Sequence, residues 1–259
     1  MAMVINTNMA SLNAQRHLSG SQSKLAKSME RLATGKRINS GQDDAAGLGI
    51  SSRLGGKIRA LNQSVRNAND GISMAKAGDG ALAEVANMLE RMRELVQQSG
   101  DGALSESDQS AITSELASLN TEMQSIRSGT AFNGVKLLTA LSANFTVGET
   151  DTYTLSVSAI TSTAEVSSGV FTASSVEAAI DNISRARGNF GKAITVLESR
   201  AANSAALAEN LSAARSQILD ADIAAETAEM TKANVLQQAG VSILAQANQS
   251  PQVVLSLLQ

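Results

Sequence analysis

The chain has no cysteine and no tryptophan, one proline, one histidine, four phenylalanines and one tyrosine in 259 residues. Without cysteine there is no disulfide, no thiolate nucleophile, no iron-sulfur cluster and no thiolate-bound zinc, and cysteine usage leaves the redox compartment open. The single histidine, His17, excludes multi-histidine metal sites such as HExxH and leaves a Ser-His-Asp triad one residue to pass through. His17 lies in a stretch patterned like a helix face and reads as a surface residue. The single proline, Pro251, leaves everything upstream free to form helices far longer than the globular norm. No run of 18 apolar residues occurs, and neither end carries a basic segment leading into an apolar stretch with a small-residue cleavage site. Neither a membrane span nor a cleaved signal peptide is expected. The net charge of -3, from 21 basic and 24 acidic residues, gives no electrostatic footprint for nucleic acid.

The hydrophobic 43% of the chain therefore consists mostly of Ala, Leu, Ile, Val and nine Met, which make thin faces suited to close helix packing. Ile58, Leu61, Val65, Ala68, Ile72 and Ala75 stand three and four residues apart. The same alternation returns at Leu82, Val85, Leu89, Met92 and Val96, and again at Ile112, Leu116, Leu119, Met123 and Ile126. These are amphipathic helices with a narrow seam, and Met92 and Met123 fill gaps in it. Ser99-Gly100-Asp101-Gly102 stops one helix, Ser105 to Asp108 offers caps for the next, and the chain turns back between them. Ser128-Gly129, followed by Asn133-Gly134, ends the third helix.

Residues 140–177 are rich in Ser, Thr and Val. Phe145, Val147, Tyr153, Leu155 and Val157 alternate at period two around Gly148-Glu149-Thr150-Asp151, which predicts a β-hairpin leaning on the helices. All the aromatic residues fall between Phe132 and Phe190, so bulky packing is expected near that hairpin. Helix returns with Ile180, Ile183, Phe190, Ile194, Leu197 and Ala201, a seam broken only by Arg187. Leu207, Leu211, Ala214, Ile218, Ala221, Ala225 and Ala228 resume the order with an offset of three, which predicts local overwinding. One continuous helix over 178–245 would be about 100 Å long at 1.5 Å per residue.

The two ends differ from the rest. Residues 1–15 and 233–259 carry no charged side chain and mix Gln, Asn and Ser with spaced Val, Ile, Leu, Met and Ala. Such segments suit burial among copies of themselves, where unpaired charge would be costly, and are marginal alone. Of the smaller motifs, Asp43-Asp44 before Ala-Ala-Gly reads as a helix start rather than a cation site. Gly47-x-Gly49 and Gly78-x-Gly80 lack the third glycine and preceding strand of a nucleotide site, and read as local flexibility or close packing. Arg91 and Arg93 sit between Leu89, Met92 and Val96 and read from spacing as solvated helix charges. Nothing calls for a cofactor, a metal or catalysis.

Several ordered phrases nevertheless resemble one family. Ile5-Asn6-Thr7-Asn8-Met9-Ala10-Ser11-Leu12-Asn13-Ala14-Gln15-Arg16 opens the chain, followed by Gly35-Lys36-Arg37-Ile38-Asn39-Ser40 and Asp43-Asp44-Ala45-Ala46-Gly47-Leu48. Arg66-Asn67-Ala68-Asn69-Asp70-Gly71-Ile72-Ser73 and Phe132-Asn133-Gly134-Val135-Lys136-Leu137-Leu138 come next. Leu219-Asp220-Ala221-Asp222, Leu236-Gln237-Gln238-Ala239-Gly240, Leu244-Ala245-Gln246-Ala247-Asn248-Gln249 and Leu255-Ser256-Leu257-Leu258 close it. Together they resemble bacterial flagellin, here in a short form without a large outer variable domain.

The resemblance implies a mainly α fold: an elongated antiparallel coiled-coil helical bundle with a small β-hairpin insert, whose terminal helices pair in the assembled filament. Segments 1–43 and 225–259 would line the inner filament core and be disordered in the free monomer, with Val4, Ile5, Met9, Leu12, Leu236, Ile243, Leu244, Val254, Leu255, Leu257 and Leu258 as the polymerisation core. Segments 44–139 and 178–224 would form the coiled-coil shell, and 140–177 the variable insert. The product would be a secreted, extracellular helical homopolymer for swimming. Its implied partners are an export chaperone on the C-terminal segment in type III export, and the flagellar cap and hook-junction proteins. The stretch Leu89, Glu90, Arg91, Arg93, Glu94 and Leu95, with Glu115 facing it, resembles the segment read by the host Toll-like receptor for flagellin. Glu90 stands where the family more usually has Gln. The C-terminal Val253, Val254, Leu255, Leu257 and Leu258 resemble the tail read by cytosolic inflammasome sensors. Three other roles are weighed: a hook-filament junction protein, an enzyme on a helical scaffold, and a coiled-coil adaptor with stable ends.

Overall fold

The computed structural model describes residues 8–148, 150–157 and 171–257, with side chains described as far as residue 249. Among the described residues the helices are α1 (Met9–Thr34), α2 (Ala45–Ser99), α3 (Glu106–Gly129), α4 (Ala173–Leu219) and α5 (Ile223–Leu257). Four short strands lie between α3 and α4: β1 (Ala131–Phe132), β2 (Val135–Lys136), β3 (Leu141–Thr146) and β4 (Thr152–Val157). The helical bundle with a small β insert expected from the sequence is the fold. The chain packs as two units, residues 1–56 with 211–259, and residues 57–210.

In the unit of residues 57–210, the expected seams face inward. Leu61, Ala68, Ile72, Ala75, Leu82, Val85, Leu89 and Met92 of α2 are buried, as are Ile112, Leu116 and Met123 of α3. The turn between them is built as the sequence predicts. Ser105 accepts from the Asp108 amide at 3.2 Å while the Asp108 carboxylate accepts from the Ser105 amide at 3.2 Å, a reciprocal capping box. These bonds hold Asp108 below the ordinary carboxylate pKa, the Ser105 side chain being the largest cause. The Asn133-Gly134 pair does more than end a helix. With φ of 48° and 81° it makes a tight turn in which both residues are left-handed, and β1 pairs antiparallel with β2 across it.

The longer hairpin forms as predicted, with Phe145 opposite Tyr153 and Leu141 opposite Val157. It is fastened to α2 by Ser64 Oγ donating to the Gly148 carbonyl at 2.6 Å and Asn67 Nδ2 donating to that of Thr146 at 3.0 Å. Residues 158–170 of the expected insert lie outside the described residues. The bulky packing gathers here: Phe132, Phe145, Tyr153 and Phe171 rest against the main core and Phe190 is wholly buried within it. Phe190 of α4 meets α2 at Gly78, where an added Cβ would lie 2.5 Å from the ring carbon Cζ. Close packing, not flexibility, is therefore the reason for Gly78. One residue on, Asp79 accepts from Arg187 Nε at 2.9 Å; Arg187 does not interrupt the α4 seam as expected, because buried Ala186 holds that position and the Arg187 side chain is 41% exposed.

Two further expectations for the second half are corrected. The seam of α4 is not offset: Ile183, Ala186, Phe190, Ala193, Leu197, Ser204 and Ala208 are buried in three-, four- and seven-residue steps, and Leu207 is left 45% exposed. Small Ser204 and Ala208 occupy the seam positions, so a search for bulky apolar residues follows the wrong face. Ala225 and Ala228 are likewise exposed. Nor is the helix continuous over 178–245, since it stops at Leu219 and restarts at Ile223. At the break the Arg37 amide donates to the Leu219 carbonyl at 2.7 Å and the Ala221 amide to that of Gly35 at 3.0 Å. Asp222 then caps α5 by accepting from the amides of Ala224 and Ala225 at 2.9 and 3.2 Å.

The loop opposite this break is held by its two acids. Asp44 accepts from the Gly47 amide at 2.9 Å and so starts α2, as the sequence predicts. Asp43 pairs with Lys27 Nζ at 2.7 Å and accepts from the amides of Asn39 and Ser40. Lys27 first, and then those amides, hold the Asp43 carboxyl well below the ordinary carboxylate range. A lowered folded pKa means stability that is complete above the unfolded value of about 3.9 and lost as pH falls towards the folded one.

Two outcomes are expected. Gly78→Ala should destabilise the 57–210 unit by roughly 1–3 kcal/mol through overpacking. Gly80→Ala, with nothing within 4 Å of the new Cβ, should stabilise by up to about 1 kcal/mol through helix propensity. Thermal melts of the two variants with opposite shifts would establish this; equal shifts would refute it. For Asp43, the Asn39 and Ser40 amide resonances should hold constant above pH 4 and move as pH falls further, and Asp43→Asn should abolish that titration.

Candidate assembly surface

In the unit of residues 1–56 and 211–259, α1 and α5 run antiparallel. Asn8 Nδ2 donates to the Ala247 carbonyl at 2.7 Å and Ser11 Oγ to Asn248 Oδ1 at 2.9 Å, while Arg31 reaches Glu226 at 3.5 Å near the other end of the pair. Asn8 also caps α1, its side chain accepting from the Ser11 amide at 3.1 Å. The inward residues of α1 are Ser11, Ala14, Leu18, Ser21, Leu25, Ser28 and Leu32. Those of α5 are Glu226, Met230, Ala233, Gln237, Gly240, Leu244 and Ala247. Both series step by threes and fours, which is a seven-residue seam of mostly small or polar residues. At Gly240 an added Cβ would stand 3.5 Å from Leu18 Cδ1, so the helices approach closely there.

A seam so small leaves bulkier apolar side chains outside. Met9 is 58% exposed, Leu12 47%, Leu236 48% and Ile243 56%, and Val235 and Val241 are exposed with them. Among the described residues of α1 before Arg16, and of α5 after Lys232, no charge interrupts this surface. A groove of about 530 Å³ runs along the pair, lined by Ala10, Asn13, Ala14, Leu236, Gly240 and Ile243 among others. His17 is exposed and lines the groove. Among the described residues no three His, Cys, Asp or Glu side chains gather as a metal site, and no helix is long and apolar enough to cross a membrane.

Of the residues read as a polymerisation core, Met9, Leu12, Leu236 and Ile243 thus lie on this open surface. Leu244 is half-buried in the α1–α5 seam. Val4, Ile5 and Leu258 lie outside the described residues, as do the side chains of Val254, Leu255 and Leu257. Sequence reasoning missed the seam itself, because Ser, Gly and Gln at its positions do not register as hydrophobic periodicity. The spacing of Ser11, Ser21 and Ser28 with Ala14 and Leu25 was the available signal.

The residues read as a receptor segment separate by side in the other unit. Glu90, Arg91, Arg93, Glu94 and Glu115 are exposed, whereas Leu89 and Leu95 are buried in the core and face away from them. The side chains of Leu89 and Leu95 pack the bundle. Arg91 bridges two helices, with Nη2 3.1 Å from Glu115 Oε1 on α3 and Nη1 3.0 Å from Glu94 Oε2 on its own helix. Arg93 pairs with Glu90 at 2.5 Å. Glu94 first, then Glu115, raises the Arg91 pKa above its ordinary value, which fixes the positive charge at every accessible pH. The pairs are about half exposed, so their contribution to stability is small.

Comparison with known proteins identifies the family. The family described as "Bacterial flagellin N-terminal helical region" matches residues 5–143, and "Bacterial flagellin C-terminal helical region" matches residues 173–258. The flagellin of Halalkalibacterium halodurans is 40% identical over 273 aligned positions, covering 99% of this chain and 100% of that protein. The flagellin of Bacillus subtilis is 37% identical over 304, covering 99% and 100%. The crystal structure of Bacillus cereus flagellin superposes with a TM-score of 0.47 at 25% identity, over 54% of this chain and 88% of that one. With both helical regions matched and relatives aligned over their whole length, the chain belongs to the bacterial flagellin family, a structural and non-enzymatic subunit that polymerises with copies of itself into the extracellular filament of swimming cells.

Proposed function

We propose that the α1–α5 pair is the element through which copies of this chain join, and that segments 1–43 and 225–259 form the inner core of the filament. The observation that carries this is the apolar side chains of Met9, Leu12, Leu236 and Ile243, left open beside a seam of mostly small or polar residues. Burying those four side chains against neighbours recovers roughly 1 kcal/mol each at half-exposure, because full burial of such a side chain is worth about 1.5–3 kcal/mol. Leu244 holds the pair together rather than meeting a neighbour. A pair with so thin a seam is marginal alone and gains order on assembly, which accounts for the assignment of these segments as disordered in the free monomer. Segments 44–139 and 178–224 build the shell around that core, and 140–177 is the insert. An export chaperone covers the C-terminal segment before type III export, and cap and hook-junction proteins meet the same chain ends in the growing filament. A heterologous contact that does not close yields an open helix.

Full-length chain seeded with short filaments should grow long filaments by electron microscopy, and a chain cut after about residue 230 should grow none. Growth by the truncated chain would end this assignment.

We infer a second role from the charged cluster on α2 and α3: host Toll-like receptor recognition of this copy. Arg91 and Glu115 are exposed together 3.1 Å apart, with Glu90, Arg93 and Glu94 around them, on a backbone held rigid by buried Leu89 and Leu95. The C-terminal leucines and valines are proposed as the part read by inflammasome sensors. Arg91→Ala should reduce receptor activation by tenfold or more, taking roughly 1.5–3 kcal/mol for a hydrogen bond to a charged group, and should leave the melting temperature nearly unchanged. Unchanged activation in a reporter-cell titration would exclude the cluster as the contact.

A further inference from the structure

The methionines divide sharply by accessibility. Met74, Met92 and Met123 are buried in the 57–210 unit, and Met88 and Met230 are half-buried. Met9 is 58% exposed and Met29 51%, both on α1. The exposure of Met9 follows from its neighbours. Asn8 and Ser11 are turned towards α5 by their hydrogen bonds to Ala247 and Asn248, at 2.7 and 2.9 Å. At 3.6 residues per turn, Met9 and Leu12 must then project away from α5. Among the described methionines the thioether most open to solvent thus belongs to a residue of the apolar surface proposed above for joining copies.

We propose that Met9 is an oxidation-sensitive site whose conversion to the sulfoxide blocks entry of this chain into the filament, with hydrogen peroxide as the oxidant. A sulfur lone pair of Met9 attacks one peroxide oxygen, the O–O bond breaks and the S–O bond forms. The departing hydroxide takes up the proton left on the transferred oxygen and leaves as water. Sulfur gives up two electrons and the peroxide gains them. The product places a strong dipole where an apolar side chain was, and burying that dipole among Leu and Ile without a donor is unfavourable. The buried methionines are shielded, so oxidation removes assembly while the 57–210 unit keeps its fold. The lesion is of the kind that methionine sulfoxide reductases reverse.

This inference rests on the assignment of Met9 to the joining surface, and the test separates the two. Full-length monomer is oxidised partially with hydrogen peroxide, supplied with short filament seeds and pelleted, and sulfoxide is mapped by peptide mass spectrometry in pellet and supernatant. Met9 sulfoxide should be enriched severalfold in the supernatant, with Met74, Met92 and Met123 unmodified in both. Equal Met9 sulfoxide in the two fractions overturns the proposal even if untreated chain grows normally. Met9→Leu is scored against its own untreated growth, and peroxide should cost it a far smaller share of that growth than the parent chain loses of its own; an equal proportional loss overturns the proposal too. If untreated chain fails to extend seeds, the joining surface itself is wrong and the proposal falls with it.

Discussion

The size of the side chains at the helix seams governs this molecule. In the 57–210 unit Leu, Ile, Val, Met and one Phe alternate with Ala at the seam positions, and the bundle buries a large apolar core. In the α1–α5 pair the equivalent positions are mostly small or polar, with a minority of Leu and Met among them, and several larger apolar residues stand outside. Hydrophobic stabilisation scales with the apolar area removed from water, so the first unit is self-sufficient and the second is not. A subunit that must travel as one chain and hold as a polymer needs both kinds of seam. One keeps the chain folded, and the other leaves apolar area for a neighbour to cover.

The bundle compensates for its thin helices by concentrating bulk in one place. Every aromatic residue lies in or beside the hairpin region, and the backbone gives way to it at Gly78 and at Gly71, where an added Cβ would stand 2.9 Å from Leu197 and 3.2 Å from Phe145. The hairpin is too small to be stable on its own, and gains its stability from α2 through Ser64, Asn67 and the cluster of Ala68, Ile72, Val147 and Leu197. Arg187 stands beside the seam rather than in it, partly exposed and paired with Asp79 at 2.9 Å.

Much of this was legible in advance where residues are bulky and evenly spaced. The α2 and α3 seams, the capped turn at Ser105, the hairpin at 148–151 and the start of α2 at Asp44 each rest on local chemistry that a single stretch of sequence contains. The failures share one cause. Leu207 was assigned to a seam that Ser204 and Ala208 occupy, and the α1–α5 seam went unseen, because packing of small residues is decided by how closely two backbones approach. The break at Asp220–Asp222 had a local sign in the Asp222 cap. What fixes it is the exchange of backbone hydrogen bonds with Gly35 and Arg37, some 180 residues away in sequence.

Composition and periodicity alone determined that this is a long-helix protein with a hairpin insert and two chargeless ends. Those are properties of side-chain type and spacing, which the chain carries before it folds. Only the tertiary structure decided which apolar residues are spent on the interior and which remain outside, because burial depends on the partner helix. That is why Leu89 and Leu95 hold the bundle beneath Arg91, while Met9 and Leu12, equally apolar, remain exposed.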